Sequence, residues 1–168
     1  DPASVTALSK RSGKILWRNS RPVARDFLVE GHGQAVAHNG VVYAGLATGK
    51  LVALAARDGG VVWEVALPGR GSGPYVDIDT TPVIGTVEDR TLLFVAGHNT
   101  GLHALDLRNG ERAWRYGATG LGQPMLAGKR VYAVASAGAR STWTSPADTS
   151  SRAGASGSAR GRTTSLRW

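Results

Sequence analysis

Two carboxylates, Asp77 and Asp79, stand two positions apart in the stretch Asp77-Ile78-Asp79-Thr80-Thr81-Pro82-Val83-Ile84, after a glycine-rich loop and before a β-branched run. On extended backbone that spacing puts both on one face. Such a pair could exchange a proton as acid and base, contribute to a calcium site, cap a turn or meet a partner. No further acidic ligand follows at loop spacing, so a partner-facing or turn-capping role is the expectation. His32, His38, His98 and His103 lie in or beside turns at no ligand spacing and read as solvated or turn-bonded. Cysteine is absent, which removes thiol chemistry, disulfides and cysteine metal sites. Serine, histidine and aspartate are all present without a Gly-x-Ser-x-Gly elbow. The loop Gly69-Arg70-Gly71-Ser72-Gly73 lacks the following helix and the Lys-Ser/Thr of a phosphate cradle. The expectation is a protein without catalytic residues, metal or cofactor.

The elements that carry these residues come from a repeat. Ala7 to Trp17, Ala53 to Trp63 and Ala104 to Trp114 share Ala-Leu, then Arg at the fifth position, Gly at the seventh and Trp at the eleventh. Two strand-length runs around a Gly-containing turn predict a β-hairpin in each copy. The tryptophans are 46 and 51 positions apart. Between them, tight-turn signals such as Asn39-Gly40 and Thr48-Gly49 separate further β-branched runs, at Val41 to Leu46 and Thr91 to Ala96. Four short strands per unit of about 45 residues, each closed by Trp, predict β-propeller blades. The indole supplies a large apolar surface, and a neighbouring glycine leaves space for the ring. Gly13, Trp17, Gly59, Trp63, Gly110 and Trp114 are the structural repeat residues, with Asp106 as a turn cap. About three blades fit, so edge strands are expected to stay open and the chain to associate or dissolve poorly.

A fourth repeat starts at Gly122 to Leu126 and runs to Ser136, but its Gly and Trp never follow. From Ala139 the chain is mostly Ser, Thr, Ala, Gly and Arg, with almost no Val, Ile or Leu and no strand period. That predicts a propeller part at 1–138 and a low-complexity basic tail at 139–168, disordered or read out of frame. The formal charge is +8, but five tail arginines against Asp148 carry half of that excess, without interleaved aromatics for stacking bases. Nucleic-acid binding is therefore not expected. No run of about 18 apolar residues is available to span a membrane as a helix. The chain opens on Asp1-Pro2 and reaches a cassette by Ala7, which reads as cut from something longer.

The repeat resembles the quinoprotein-type (PQQ-like) propeller family, with its Ala-x-Asp-x-x-x-Gly-x-x-x-Trp pattern; Asp106 keeps the acid, while Ser9 and Ala55 replace it. Within that family, residues 3–136 are similar to the BamB-like outer-membrane assembly factors. The likeness rests on Gly40 to Gly45 before Lys50-Leu51, on Asp77 to Ile84, and on Gly101 to Gly110. It implies a non-catalytic scaffold subunit of the outer-membrane β-barrel assembly machinery, at the periplasmic face of the outer membrane. The implied partners are a BamA-like barrel subunit and unfolded outer-membrane proteins, with membrane attachment through a partner or a missing lipid anchor. By position Asp77, Asp79 and Thr80 would face the barrel subunit. A second contact loop, Leu-x-Leu-Arg in the family, corresponds to Asp26-Phe27-Leu28-Val29, which keeps Leu28 and lacks the Arg. The alternatives are a piece of a PQQ-dependent dehydrogenase, which shares the repeat but needs calcium ligands and an acid base, and a propeller sensor or adaptor of a larger protein.

Overall fold

The computed structural model describes residues 3–22, 33–46, 48–69, 78–135 and 141–144. All regular structure among them is β. A hairpin of β1 (Ala3–Leu8) and β2 (Ile15–Arg21) comes first. Next is a four-stranded antiparallel sheet in chain order, from β3 (Val36–His38), β4 (Val41–Gly45), β5 (Lys50–Ala55) and β6 (Val61–Ala66). A second sheet holds β7 (Val83–Val87), β8 (Arg90–Gly97), β9 (Gly101–Asp106) and β10 (Arg112–Ala118) in the same order. The hairpin of β11 (Met125–Ala127) and β12 (Arg130–Tyr132) follows, and β13 (Ser141–Thr144) pairs antiparallel with β10 as a fifth strand of the second sheet.

These are two complete blades flanked by two halves. The cassettes fall on β1–β2, β5–β6 and β9–β10, so the first hairpin is the last half of a blade. The hairpin β11–β12 corresponds to β3–β4 and β7–β8, the first half. Asn39 and Gly40 both take positive φ, 46° and 76°, and join β3 to β4 in the two-residue turn that the Asn-Gly step predicts. Sequence reading found no strand beyond Ala139, yet Ser141–Thr144 is one. The reason is the free edge of β10, whose ladder supplies the backbone partners that the segment's own composition does not call for.

Burial explains why the middle strands are apolar throughout instead of alternating. Each complete sheet is covered on both faces. Leu51, Ala53, Tyr43 and Trp63 pack with Leu93, Val95, Leu105 and Leu107 of the next blade. On the other face Val52, Leu54, Ala44 and Leu46 meet Val5 and Trp17. Phe94, Ala104, Leu102 and Trp114 cover the far side of the second sheet, with Leu126 and Val131 of the half blade against them. Stacking of small sheets thus makes one continuous core, which no blade could bury alone.

The docking device recurs at both junctions. The Trp17 indole lies on Gly59, where an added Cβ would come 2.6 Å from Cε3, and its Nε1 donates to the Ala56 carbonyl at 2.9 Å. Trp63 lies on Gly110, with the equivalent Cβ 2.8 Å away, and donates to Leu107 at 3.1 Å. Both glycines have φ above +70°, so the position demands glycine twice, for the turn and for the ring. Gly13 has the same turn, with φ of 69°, but nothing lies within 4 Å of its Cβ position. Glu64 adds a polar tie, receiving Arg21 of β2 at 2.9 Å and Lys50 of β5 at 2.7 Å.

Turn capping is richer than the Asp-x-x-x-Gly pattern indicates. Asp106 accepts from the Arg108 backbone N–H at 3.0 Å and pairs with Arg108 and Arg90 at 3.2 Å. Hydrogen bonds from Arg108 hold its pKa down to about 2 against the opposing effect of burial. Ser9 keeps a weaker version through its hydroxyl and Ser12 N–H at 3.3 Å, and Ala55 has none. A second cap is present in all three turns: Ser12, Asp58 and Asn109 each accept from the N–H two residues on.

Candidate partner-binding loop

The segment entering β7 is built from alternating buried and exposed positions. Ile78 is buried in the core between the two complete blades, seated against Gly45, where no Cβ could fit. Asp79 is exposed. Thr80 turns inward again: its hydroxyl donates to the Ala96 carbonyl at 2.5 Å and accepts the Ala96 N–H at 3.0 Å, tying the loop to the end of β8. Gly33 closes over it, with room for no side chain beside the Thr80 carbonyl.

Thr81 joins three blades. Its hydroxyl accepts the Gln34 N–H at 3.0 Å, its N–H donates to Gln123 Oε1 at 2.8 Å, and its carbonyl accepts from Gln123 Nε2 at 2.7 Å. Gln34, Thr81 and Gln123 occupy the same place, two residues before the first strands β3, β7 and β11. Buried Pro82 follows. The Asp79 carboxylate is thereby carried on backbone fixed on both sides, an arrangement that loses little entropy when a partner binds.

Of the residues expected at a partner surface, Asp79 is exposed on this loop and Thr80 is beside it but inward, where it holds the loop. Asp77 and Leu28 lie outside the described residues. Sequence reasoning missed Ile78 as the anchor and the Gln34–Thr81–Gln123 chain of hydrogen bonds. The signal for the latter was a polar residue repeated two places before each first strand.

The histidines do not converge. His98 is exposed, His38 is half-buried in β3, and His32 lies outside the described residues. His103 is fully buried in β9, its Nε2 at 2.9 Å from the Thr100 carbonyl, and burial pushes its pKa down to about 4. It is turn-bonded as expected, but it is not solvated. Among the described residues no cluster of three His, Cys, Asp or Glu side chains could hold a metal ion. Nor is any helix long and apolar enough to cross a membrane.

Comparison with known proteins agrees with this architecture. The outer membrane protein assembly factor BamB of Kangiella koreensis is 37% identical over 110 residues, covering 63% of this chain and 27% of that protein. Its Vibrio cholerae counterpart is 29% identical over 138 residues, 78% of this chain and 34% of the relative. The chain therefore spans about a third or less of the length of these relatives. Among solved structures, BamB from Moraxella catarrhalis superposes with a TM-score of 0.53 at 22% identity, over 82% of this chain and 42% of the other. The quinohemoprotein alcohol dehydrogenase of Comamonas testosteroni gives 0.52 at 24% identity, over 68% and 18%. Both likenesses are of fold. The family model described as outer membrane protein assembly factor BamB matches residues 1–152. With its paired half and whole blades and its Trp-on-Gly junctions, the chain belongs to the BamB family of PQQ-like β-propellers.

Proposed function

We propose that this chain acts, as part of a larger propeller, as a non-catalytic scaffold in the outer-membrane β-barrel assembly machinery. It presents the loop around Asp77 and Asp79 to a BamA-like barrel subunit and assists insertion of outer-membrane proteins, whose unfolded strands can add to open blade edges. The protein works at the periplasmic face of the outer membrane, held there through its partner. The observation that carries this reading is the exposed Asp79 between two inward neighbours, Ile78 and Thr80, on a loop fixed to three blades. A carboxylate displayed in this way offers a rigid acceptor to a basic or N–H-rich surface and no nucleophile, metal cage or proton relay.

The test is co-purification with a BamA-like subunit after replacing Asp77 and Asp79 together by Lys. Retention is expected to fall at least tenfold while β-sheet circular dichroism stays unchanged. Equal retention of the wild type and the double variant would remove this loop from the partner surface.

A further inference from the structure

A propeller blade turns its fourth strand outward, and further blades stack on the faces of its sheet. The outer edge therefore stays at the periphery however many blades complete the ring. The two complete blades differ at this edge. Along β10 it is covered: Ser141–Thr144 pairs antiparallel with Arg115 to Ala118, and the register sets Trp143 opposite Tyr116. Among the described residues no strand pairs with the outer edge of β6.

The open edge offers the same backbone groups as the covered one. The Leu67 N–H donates inward to the Gly49 carbonyl at 2.9 Å. Val65, two residues earlier and opposite Leu51, bonds to the same side of the ladder. The N–H and C=O groups of Glu64 and Ala66 therefore point away from β5. Counted from the tryptophans, Glu64, Val65 and Ala66 hold the places of Arg115, Tyr116 and Gly117, along which β13 lies. Edge strands are commonly guarded by lysine, proline or charge. β6, Val-Val-Trp-Glu-Val-Ala, has neither Lys nor Pro. Its one charge, Glu64, is balanced by Arg21 and Lys50, and Val61 and Val62 at its start are 49% and 50% exposed.

The two faces of β6 set what an added strand must carry. Trp63 and Val65 belong to the core shared with the next blade, so a residue opposite Val65 gains most from an aromatic or β-branched side chain. Glu64 and Ala66 lie on the other face and are exposed, so the residues opposite them stay in water and suit polar side chains. Strands of outer-membrane barrels alternate apolar and polar residues and are rich in aromatics. A helix, whose own N–H groups are already bonded, has nothing to give this edge.

We propose that the outer edge of β6 docks one extended strand of an unfolded outer-membrane barrel protein, antiparallel along Glu64 to Leu67, with an apolar residue opposite Val65. This rests on the scaffold reading above and assigns the edge at which it acts. Main-chain bonds make the edge tolerant of sequence, and the alternation of side chains selects the two-faced strand.

The probe is a labelled synthetic peptide alternating Val or Tyr with Thr or Ser, with a block-ordered peptide of the same composition as control. Fluorescence anisotropy is expected to show binding of the alternating peptide and at least tenfold weaker binding of the control. Ala66→Pro removes an outward N–H that no described strand uses, so it should retain the β-sheet spectrum and weaken binding at least tenfold. Ala66→Val keeps the N–H and should bind within twofold of the wild type. In the wild type, bound peptide should slow hydrogen exchange at the Glu64 and Ala66 amides and leave Val65 and Leu67 unchanged. Unchanged exchange at Glu64 and Ala66, equal binding of the two peptides, or full binding by a folded Ala66→Pro variant would overturn the proposal. Loss of barrel-subunit retention in the Asp77 and Asp79 variant, with no peptide binding by the wild type, would remove the β6 edge and leave the scaffold reading standing.

Discussion

The His103 imidazole has one hydrogen-bonded nitrogen, and its Nδ1 makes no hydrogen bond among the described residues. Burial, with Arg115 and Arg112 nearby, favours the neutral ring and lowers its pKa from 6.5 to about 4. The unfolded chain therefore binds this proton first as pH falls. Stability from the neutral ring is complete above pH 6.5 and is lost progressively on going down to pH 4, a change of roughly 3 kcal/mol. Asp106 acts in a lower window: its depressed pKa contributes stability above the ordinary carboxylate value that is lost as pH drops toward 2. His103→Leu should flatten the stability profile between pH 6.5 and 4, since the Thr100 carbonyl keeps the Arg115 Nε donor at 3.0 Å. Urea denaturation of wild type and variant across that range is the measurement. Parallel profiles would show that His103 does not set the acid sensitivity.

At the scale of elements, the cassette turns offer an internal control. Gly13 and Gly110 have the same backbone, with φ of 69° and 74°, but only Gly110 carries an indole. Alanine at either site pays the left-handed strain, roughly 1 kcal/mol. At Gly110 the new methyl also meets the Trp63 ring, and overpacking there should add about 1–3 kcal/mol. Thermal or denaturant midpoints of the two variants measure the difference. Equal losses would mean that the turn does not seat the ring. The cassette was legible because each of its residues answers one demand that few side chains meet: positive φ, a gap for a ring, a large apolar plate with one N–H. The Gln34–Thr81–Gln123 chain was not, since glutamine and threonine suit many surroundings and their partners depend on how blades are set side by side. For the same reason the inward turn of Thr80 could not be read from Asp-x-Asp-Thr-Thr-Pro. β13 escaped because its strand character resides in the edge of β10.

For the whole molecule, the shared repeat of scaffolds and quinone enzymes makes cofactor binding the broadest test of the functional reading. Incubation with PQQ and Ca²⁺ is expected to give no bound quinone spectrum and no dye reduction with alcohols or sugars; either signal would favour a dehydrogenase. The repeat also has a consequence for the order of events when the chain is made. Trp17 donates to a carbonyl 39 residues later and Trp63 to one 44 residues later. Each indole therefore emerges well before the turn that will seat it. At ordinary elongation rates of about 5–20 residues per second, the delay is on the order of several seconds. Trp17 and Trp63 in turn wait for the blade that seats them, so each of these two junctions can close only after the following cassette turn has been made. Until then the waiting indole is a face a holding chaperone could cover.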